Sequence, residues 1–128
     1  MMSLKILLAD DSRTIRELTS HVLEQLGHTV KTVTDGVDVI RFIEAFPLPD
    51  LLITDYDMPR MDGLEVLRHI RTNERFKLLR VIVYTTNDYP EFKSVVEALG
   101  GVLVNPKTAY NLLAAVDAID KKLEKERR

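Results

Sequence analysis

Leu51-Leu52-Ile53-Thr54-Asp55-Tyr56-Asp57-Met58-Pro59-Arg60-Met61-Asp62-Gly63 is the stretch that decides the fold. Its apolar opening, Leu51 to Ile53, is too short for a helix and is led in by Pro49. It reads as a strand buried on both faces. The run ends on a carboxylate, Asp55, and turn residues come next at Met58-Pro59 and Asp62-Gly63. A buried parallel strand delivers the residues after it to the carboxyl edge of its sheet, where open α/β folds hold their ligands. Asp55 therefore stands either at a reactive edge or simply as the cap of the next turn.

Outward from this strand the chain alternates two periods. Upstream, Lys5 to Ala9 is an apolar strand that stops at Asp10-Asp11. Ser12 is a helix N-cap, and Ile15, Leu18, Val22 and Leu26 form an inward stripe before Gly27 closes the helix. His28 to Val33 is a β-branched strand, followed by a turn at Asp35-Gly36. Val37, Ile40 and Ile43 mark a helix that Pro47 and Pro49 end. Downstream, Leu64, Leu67 and Ile70 mark a third helix, and Val81 to Thr85 a fourth strand. Pro90 suits the first turn of a helix with Phe92, Val95, Val96 and Leu99 facing inward. Gly101 to Val104 is the last strand, and Leu112, Val116, Ile119 and Leu123 line the last helix. Strict alternation predicts an α/β fold, a five-stranded parallel sheet that is doubly wound, as a single domain over residues 1–128.

Composition narrows the function classes. The 128 residues are 45% hydrophobic and 30% charged, as in a soluble globular chain. A net charge of -2 gives no basic stripe for nucleic acid, so no nucleic-acid partner is expected. The chain has no cysteine, which excludes disulfides and thiolate metal sites. No long apolar run follows the start, so no membrane partner is expected and a cytoplasmic protein is the default. His21, His28 and His69 match no metal-ligand spacing and read as ordinary helix or strand residues. Lys121 to Arg128 reads as a solvated helix end.

In such a sheet the ends of the first, third and fourth strands meet where strand order switches. Those ends carry Asp10 and Asp11, then Asp55, then Thr85 and Thr86. Carboxylates crowded into one crevice raise each other's pKa unless a cation intervenes. A hard, oxygen-rich site with open positions suits Mg²⁺ better than zinc. Asp10 and Asp11 could instead only cap the first helix, but Asp55 at the neighbouring strand end favours the metal.

The chain resembles the receiver domain of a two-component response regulator over essentially its whole length. The resemblance is carried by Asp10-Asp11, Asp55 with Met58-Pro59 and Met61-Asp62-Gly63, Thr85, and Asn105-Pro106. It implies the flavodoxin-like (βα)5 fold and a phosphoacceptor that assists its own phosphoryl transfer, rather than an enzyme. The phosphoryl group would pass from a sensor histidine kinase or phosphotransfer protein to Asp55. Asp10, Asp11, Asp55 and the backbone carbonyl of Asp57 would hold Mg²⁺. Thr85, with Thr86 beside it, would move to meet the phosphoryl group. The switched face, formed by the fourth helix, fifth strand and fifth helix, would meet a downstream protein that composition does not identify. The chemistry fits these roles, because phosphoryl transfer asks a protein mainly for positioning and charge neutralisation.

Two departures stand out. The family has a lysine immediately before the proline after the fifth strand, and this chain has Asn105, which brings no charge. An ion pair at ~4 Å is worth on the order of 4 kcal/mol at an intermediate dielectric, so its loss would weaken phosphorylation. Lys107, two residues on, is a possible substitute cation, but the expectation is that it starts the last helix in solvent. Many receivers also have an aromatic residue where this chain has Val102, and Tyr84 and Tyr89 are the candidates to replace it. Asp57 could add negative charge near an incoming phosphate. These departures motivate an alternative, a phosphorylation-independent interaction module. A third reading, a small phosphatase using Asp55 as nucleophile and Asp57 as general acid and base, rests on the Asp55-Tyr56-Asp57 motif alone.

Overall fold

The computed structural model describes residues 3–88 and 90–127. Five strands alternate with five helices: β1 Lys5–Ala9, α1 Arg13–Gln25, β2 Thr29–Val33, α2 Gly36–Ala45, β3 Leu51–Thr54, α3 Gly63–Thr72, β4 Arg80–Tyr84, α4 Pro90–Ala98, β5 Val102–Val104 and α5 Ala109–Glu126. All strands are parallel, in the order β2-β1-β3-β4-β5. The order reverses at β1, so β1 and β3 are neighbours whose chains depart to opposite faces. Register sets Ala9 beside Thr54 and Thr54 beside Val83. The residues just beyond these ends therefore share one edge.

Alternation along the strands splits the core in two. Leu7, Ala9, Leu52, Val81 and Val83 face one layer, where Val39, Ile43, Val66, Leu67, Ile70 and Val96 arrive from α2, α3 and α4. Ile6, Leu8, Leu51, Ile53, Ile82 and Tyr84 face the other, closed by Leu23 of α1 and by Leu112, Val116 and Ile119 of α5. Apolar residues on both faces of a strand are what a parallel sheet between two helical layers requires.

The helix stripes differ from the sequence expectation in register. In α1, Thr19 and Leu23 are buried, while Leu18 is 60% exposed and Leu26 is the exposed C-cap. An apolar stripe wider than one helix face lets the docked rotation, not the sequence, choose which members are covered. Val39 and Val66 are likewise buried where Val37 and Leu64 are only partly so. His28 precedes β2 instead of opening it. It is buried, and its Nδ1 accepts from the Leu4 amide at 3.0 Å. Tyr89 and Arg128, named above, lie outside the described residues.

Arg71, in the last turn of α3, binds four backbone carbonyls. Nε donates to Leu99 at 2.6 Å, Nη1 to Leu79 at 2.7 Å and Lys77 at 3.0 Å, and Nη2 to Gly100 at 3.4 Å. One guanidinium thus joins the end of α4, the start of β5 and the approach to β4. No helix among the described residues is long and apolar enough to cross a membrane.

Candidate functional site

Asp10, Asp11 and Asp55 converge at the carboxyl edge of β1 and β3. One oxygen from each lies within 4.8 Å of the others. Asp10 is 2% exposed, and its two oxygens are both engaged. Oδ1 accepts from the Ser12 amide at 2.9 Å, which ties it to the start of α1. Oδ2 accepts from Lys107 Nζ at 2.7 Å. Asp55 mirrors this, with Oδ1 accepting from the Tyr56 amide at 2.7 Å and Oδ2 lying 3.3 Å from Lys107 Nζ. Asp11 is exposed, at the mouth of the crevice.

Lys107 does not start the last helix in solvent. Thr108 is the N-cap of α5, its Oγ1 accepting from the Asn111 amide at 3.2 Å, so the helix begins at Ala109. Lys107 is left in the preceding loop, free to turn inward, and its side chain is only 11% exposed. Its ammonium lies 5.3 Å from the centre of the Tyr84 ring, a favourable cation–π placement. Burial works to lower its pKa, but the hydrogen bond to Asp10 and the charges of Asp55 and Asp10 outweigh that and hold the pKa above its ordinary value. The ammonium is therefore charged. Burial pushes the Asp55 carboxyl above its ordinary value; Lys107 opposes the rise and Asp10 adds to it.

Asn105 does something other than contact the carboxylates. Its Nδ2 donates to the carbonyls of Thr85 at 3.0 Å and Asn87 at 3.1 Å, binding the end of β5 to the loop after β4. Thr85 is 1% exposed and its Oγ1 accepts from the Asn87 amide at 3.0 Å, while Thr86 is exposed. Asp57 is exposed as well, and among the described residues the carboxylate cluster comprises Asp10, Asp11 and Asp55.

The loop from Asp55 to Asp62 is held by close packing and a clamp. A Cβ on Gly63 would lie 2.3 Å from the Asp55 carbonyl oxygen, and one on Gly36 2.2 Å from that of Met61. Only glycine lets the backbones approach this closely. Arg60, at φ 67°, donates to Asp35 at 2.8 and 3.1 Å and to Asp38 at 3.0 Å. The Arg60 hydrogen bonds hold the Asp35 carboxyl below its usual range. Sequence reading missed Arg60, because its partners are 25 and 22 positions away. The position of Lys107 was more accessible: a threonine before an apolar-periodic run is a helix-start signal.

The response regulator receiver domain family matches residues 6–126. The chain is a response regulator receiver domain. The receiver is 31% identical over 126 residues to the chemotaxis protein CheY-3 of Vibrio cholerae, covering 94% of this chain and 95% of that protein. It is 36% identical over 117 residues to the CAI-1 autoinducer sensor kinase/phosphatase CqsS of Vibrio cholerae, covering 89% of this chain but only 17% of CqsS. Among solved structures, the Mn(2+)-bound form of response regulator Rcp1 superposes with a TM-score of 0.76 at 28% identity, covering 91% of each chain. The receiver therefore matches chains that differ widely in length.

The carboxylate set fits a hard divalent cation. Its donors are all oxygens, and each bound carboxylate oxygen retains a second lone pair beyond the hydrogen bond it accepts.

Proposed function

We propose that this receiver accepts a phosphoryl group on Asp55 from a phosphohistidine of a sensor kinase or phosphotransfer protein, and that phosphorylation switches a face that binds a downstream protein. The observation that carries this reading is one buried ammonium, Lys107, set between Asp10 and Asp55 at 2.7 and 3.3 Å. In the transfer, a carboxylate oxygen of Asp55 attacks phosphorus, the P–O bond forms as the P–N bond breaks, and the electron pair leaves with the imidazole. The three phosphoryl oxygens carry charge throughout, and the protein's task is to meet it. Lys107 meets it without reorganising, because its neighbours already fix it. Thr85 brings a hydroxyl that adds no charge. Asp10, Asp11, Asp55 and the Asp57 carbonyl would hold Mg²⁺, which supplies further charge neutralisation when bound. The manganese in Rcp1, a similar receiver, supports a divalent cation here.

The case for a phosphorylation-independent module rested on Asn105 and Val102. With a lysine already in the crevice, Asn105 no longer argues for it. The acceptor of this proposal is the receiver domain over residues 6–126.

Intact-mass spectrometry after incubation with Mg²⁺ and a small phosphoramidate tests the reading. The parent protein gains one phosphoryl group and Asp55→Asn gains none. No gain on the parent, or an equal gain on both, refutes it. Millimolar Mg²⁺ also raises the melting temperature by several degrees, since the unfolded chain has no preformed site, and binding at about 100 times Kd adds roughly 2.7 kcal/mol. The rise shrinks in Asp55→Asn, which lacks one ligand charge. A melting curve unmoved by Mg²⁺, with no calorimetric heat, removes the metal.

A further inference from the structure

We infer that Asn105 is a positioning residue that holds the switch loop in its resting conformation, while the charge for phosphoryl transfer comes from Lys107. This rests on the phosphoacceptor reading and adds a division of labour between positions 105 and 107.

The chemistry of a primary amide is the starting point. Its nitrogen carries two hydrogens at a fixed angle and no net charge. In Asn105 they have separate acceptors, the carbonyls of Thr85 and Asn87, on either side of the exposed Thr86. The loop makes its own bond across the same span, from the Asn87 amide to Thr85 Oγ1. The backbone of Thr85 is also tied to β5, its amide donating to Val104 at 3.2 Å. Thr85 is thus held at its amide, its hydroxyl oxygen and its carbonyl, and two of these three ties run to consecutive residues at the end of β5, Val104 and Asn105.

A move of Thr85 toward a phosphoryl group on Asp55 carries its carbonyl away from a side chain anchored at the end of β5. Either the Asn105 bond breaks or Asn105 moves with it. Breaking that bond, or drawing Asn105 off its second acceptor on Asn87, costs the moved state, so the amide favours the resting state and a ligand or modification that favours the moved state must outweigh that preference. A lysine at position 105 would present a single charged head on a longer stem, instead of two divergent neutral donors. The place where the family has a lysine therefore carries a loop tie here, and Lys107, two residues on, carries the charge.

The test uses the full chain, labelled for amide NMR, with and without phosphorylation by phosphoramidate and Mg²⁺. Asn105→Leu removes both donors while keeping the branched shape. Asn105→Ser retains one hydroxyl donor, and carries the test if the leucine variant does not fold. In unphosphorylated Asn105→Leu, the amide resonances of Thr85 to Asn87 are expected to shift toward their positions in the phosphorylated parent. Exchange at the Asn87 amide is expected to quicken by about fivefold or more, the scale of one lost hydrogen bond. Asn105→Ser falls between. Loop resonances and exchange that match the parent in both variants overturn the inference, leaving Asn105 a filler of space. A loss of phosphoryl uptake as deep as that of Lys107→Ala overturns it too, by placing Asn105 in the transfer itself. If the parent takes up no phosphoryl group, the phosphoacceptor reading fails and the switch role of Asn105 fails with it, an outcome told apart by the unchanged parent mass.

Discussion

Lys107→Ala is expected to slow phosphoryl uptake by about 10²- to 10³-fold, the usual cost of removing one preorganised charge or donor from a reacting centre. The parent ammonium sits where Asp10 and Asp55 would otherwise face each other uncompensated. Its removal withdraws positive charge from the incoming phosphoryl oxygens. It also raises the proton affinity of the Asp55 carboxyl, already pushed up by burial. Both effects act against the nucleophile. Rates from phosphoramidate at fixed Mg²⁺ measure the change, with the melting curve confirming that the variant folds. Uptake within about twofold of the parent would show that Lys107 is merely a structural counter-ion. The double variant Asn105→Lys, Lys107→Ala returns a lysine to the family's usual place, and is expected to recover part of the lost rate.

Arg71→Ala is expected to destabilise the fold by about 3 kcal/mol, from charge-assisted hydrogen bonds lost to several carbonyls at once. A domain of this size has roughly 5–15 kcal/mol in all, so the loss is a large fraction. The melting temperature should fall by about 10 °C. Leu99, Gly100, Leu79 and Lys77 supply the acceptors, which one planar guanidinium bridges. Arg71→Lys should fall between, because a single ammonium cannot span acceptors that a planar fork bridges. Urea and thermal unfolding measure both variants. A change below about 0.5 kcal/mol would mean that water replaces the guanidinium without loss.

Much of the architecture was legible because two periods alternate so regularly along the chain. Apolar runs as short as Leu51 to Ile53 read as buried strands, and those of β1, β3 and β4 end on polar residues, Asp10, Asp55 and Thr85, that the sheet edge then gathers. Asp10, Asp11 and Asp55 were brought together by strand order alone, which is a consequence of parallel strands joined by helices. Rotation of a helix about its axis was not legible. Leu18 and Leu23 are equally apolar, and only packing against β1 and α5 determines that Leu23 is the buried one. Lys107 was misplaced for a related reason. A shift of two residues in where α5 starts turns its side chain from solvent to the crevice, and the helix-capping role of Thr108 decides it. Arg60 and Arg71 were invisible, since their partners are distant carboxylates and backbone carbonyls that no local pattern encodes.

The contact between Lys107 and Asp10 closes a loop of 97 positions, nearly the whole chain. A ribosome delivers β1 and β3 first, so a growing chain displays Asp10 and Asp55 well before the residue that neutralises them has been added. Closing a contact this distant in sequence also carries a loop-closure cost that precedes any gain. The Asp55 carboxylate is thus born without its cation. On the phosphoacceptor reading, full reactivity toward phosphoryl donors would arrive only when β5 and the loop that carries Lys107 have docked, and signalling competence would itself report that the last strand is in place.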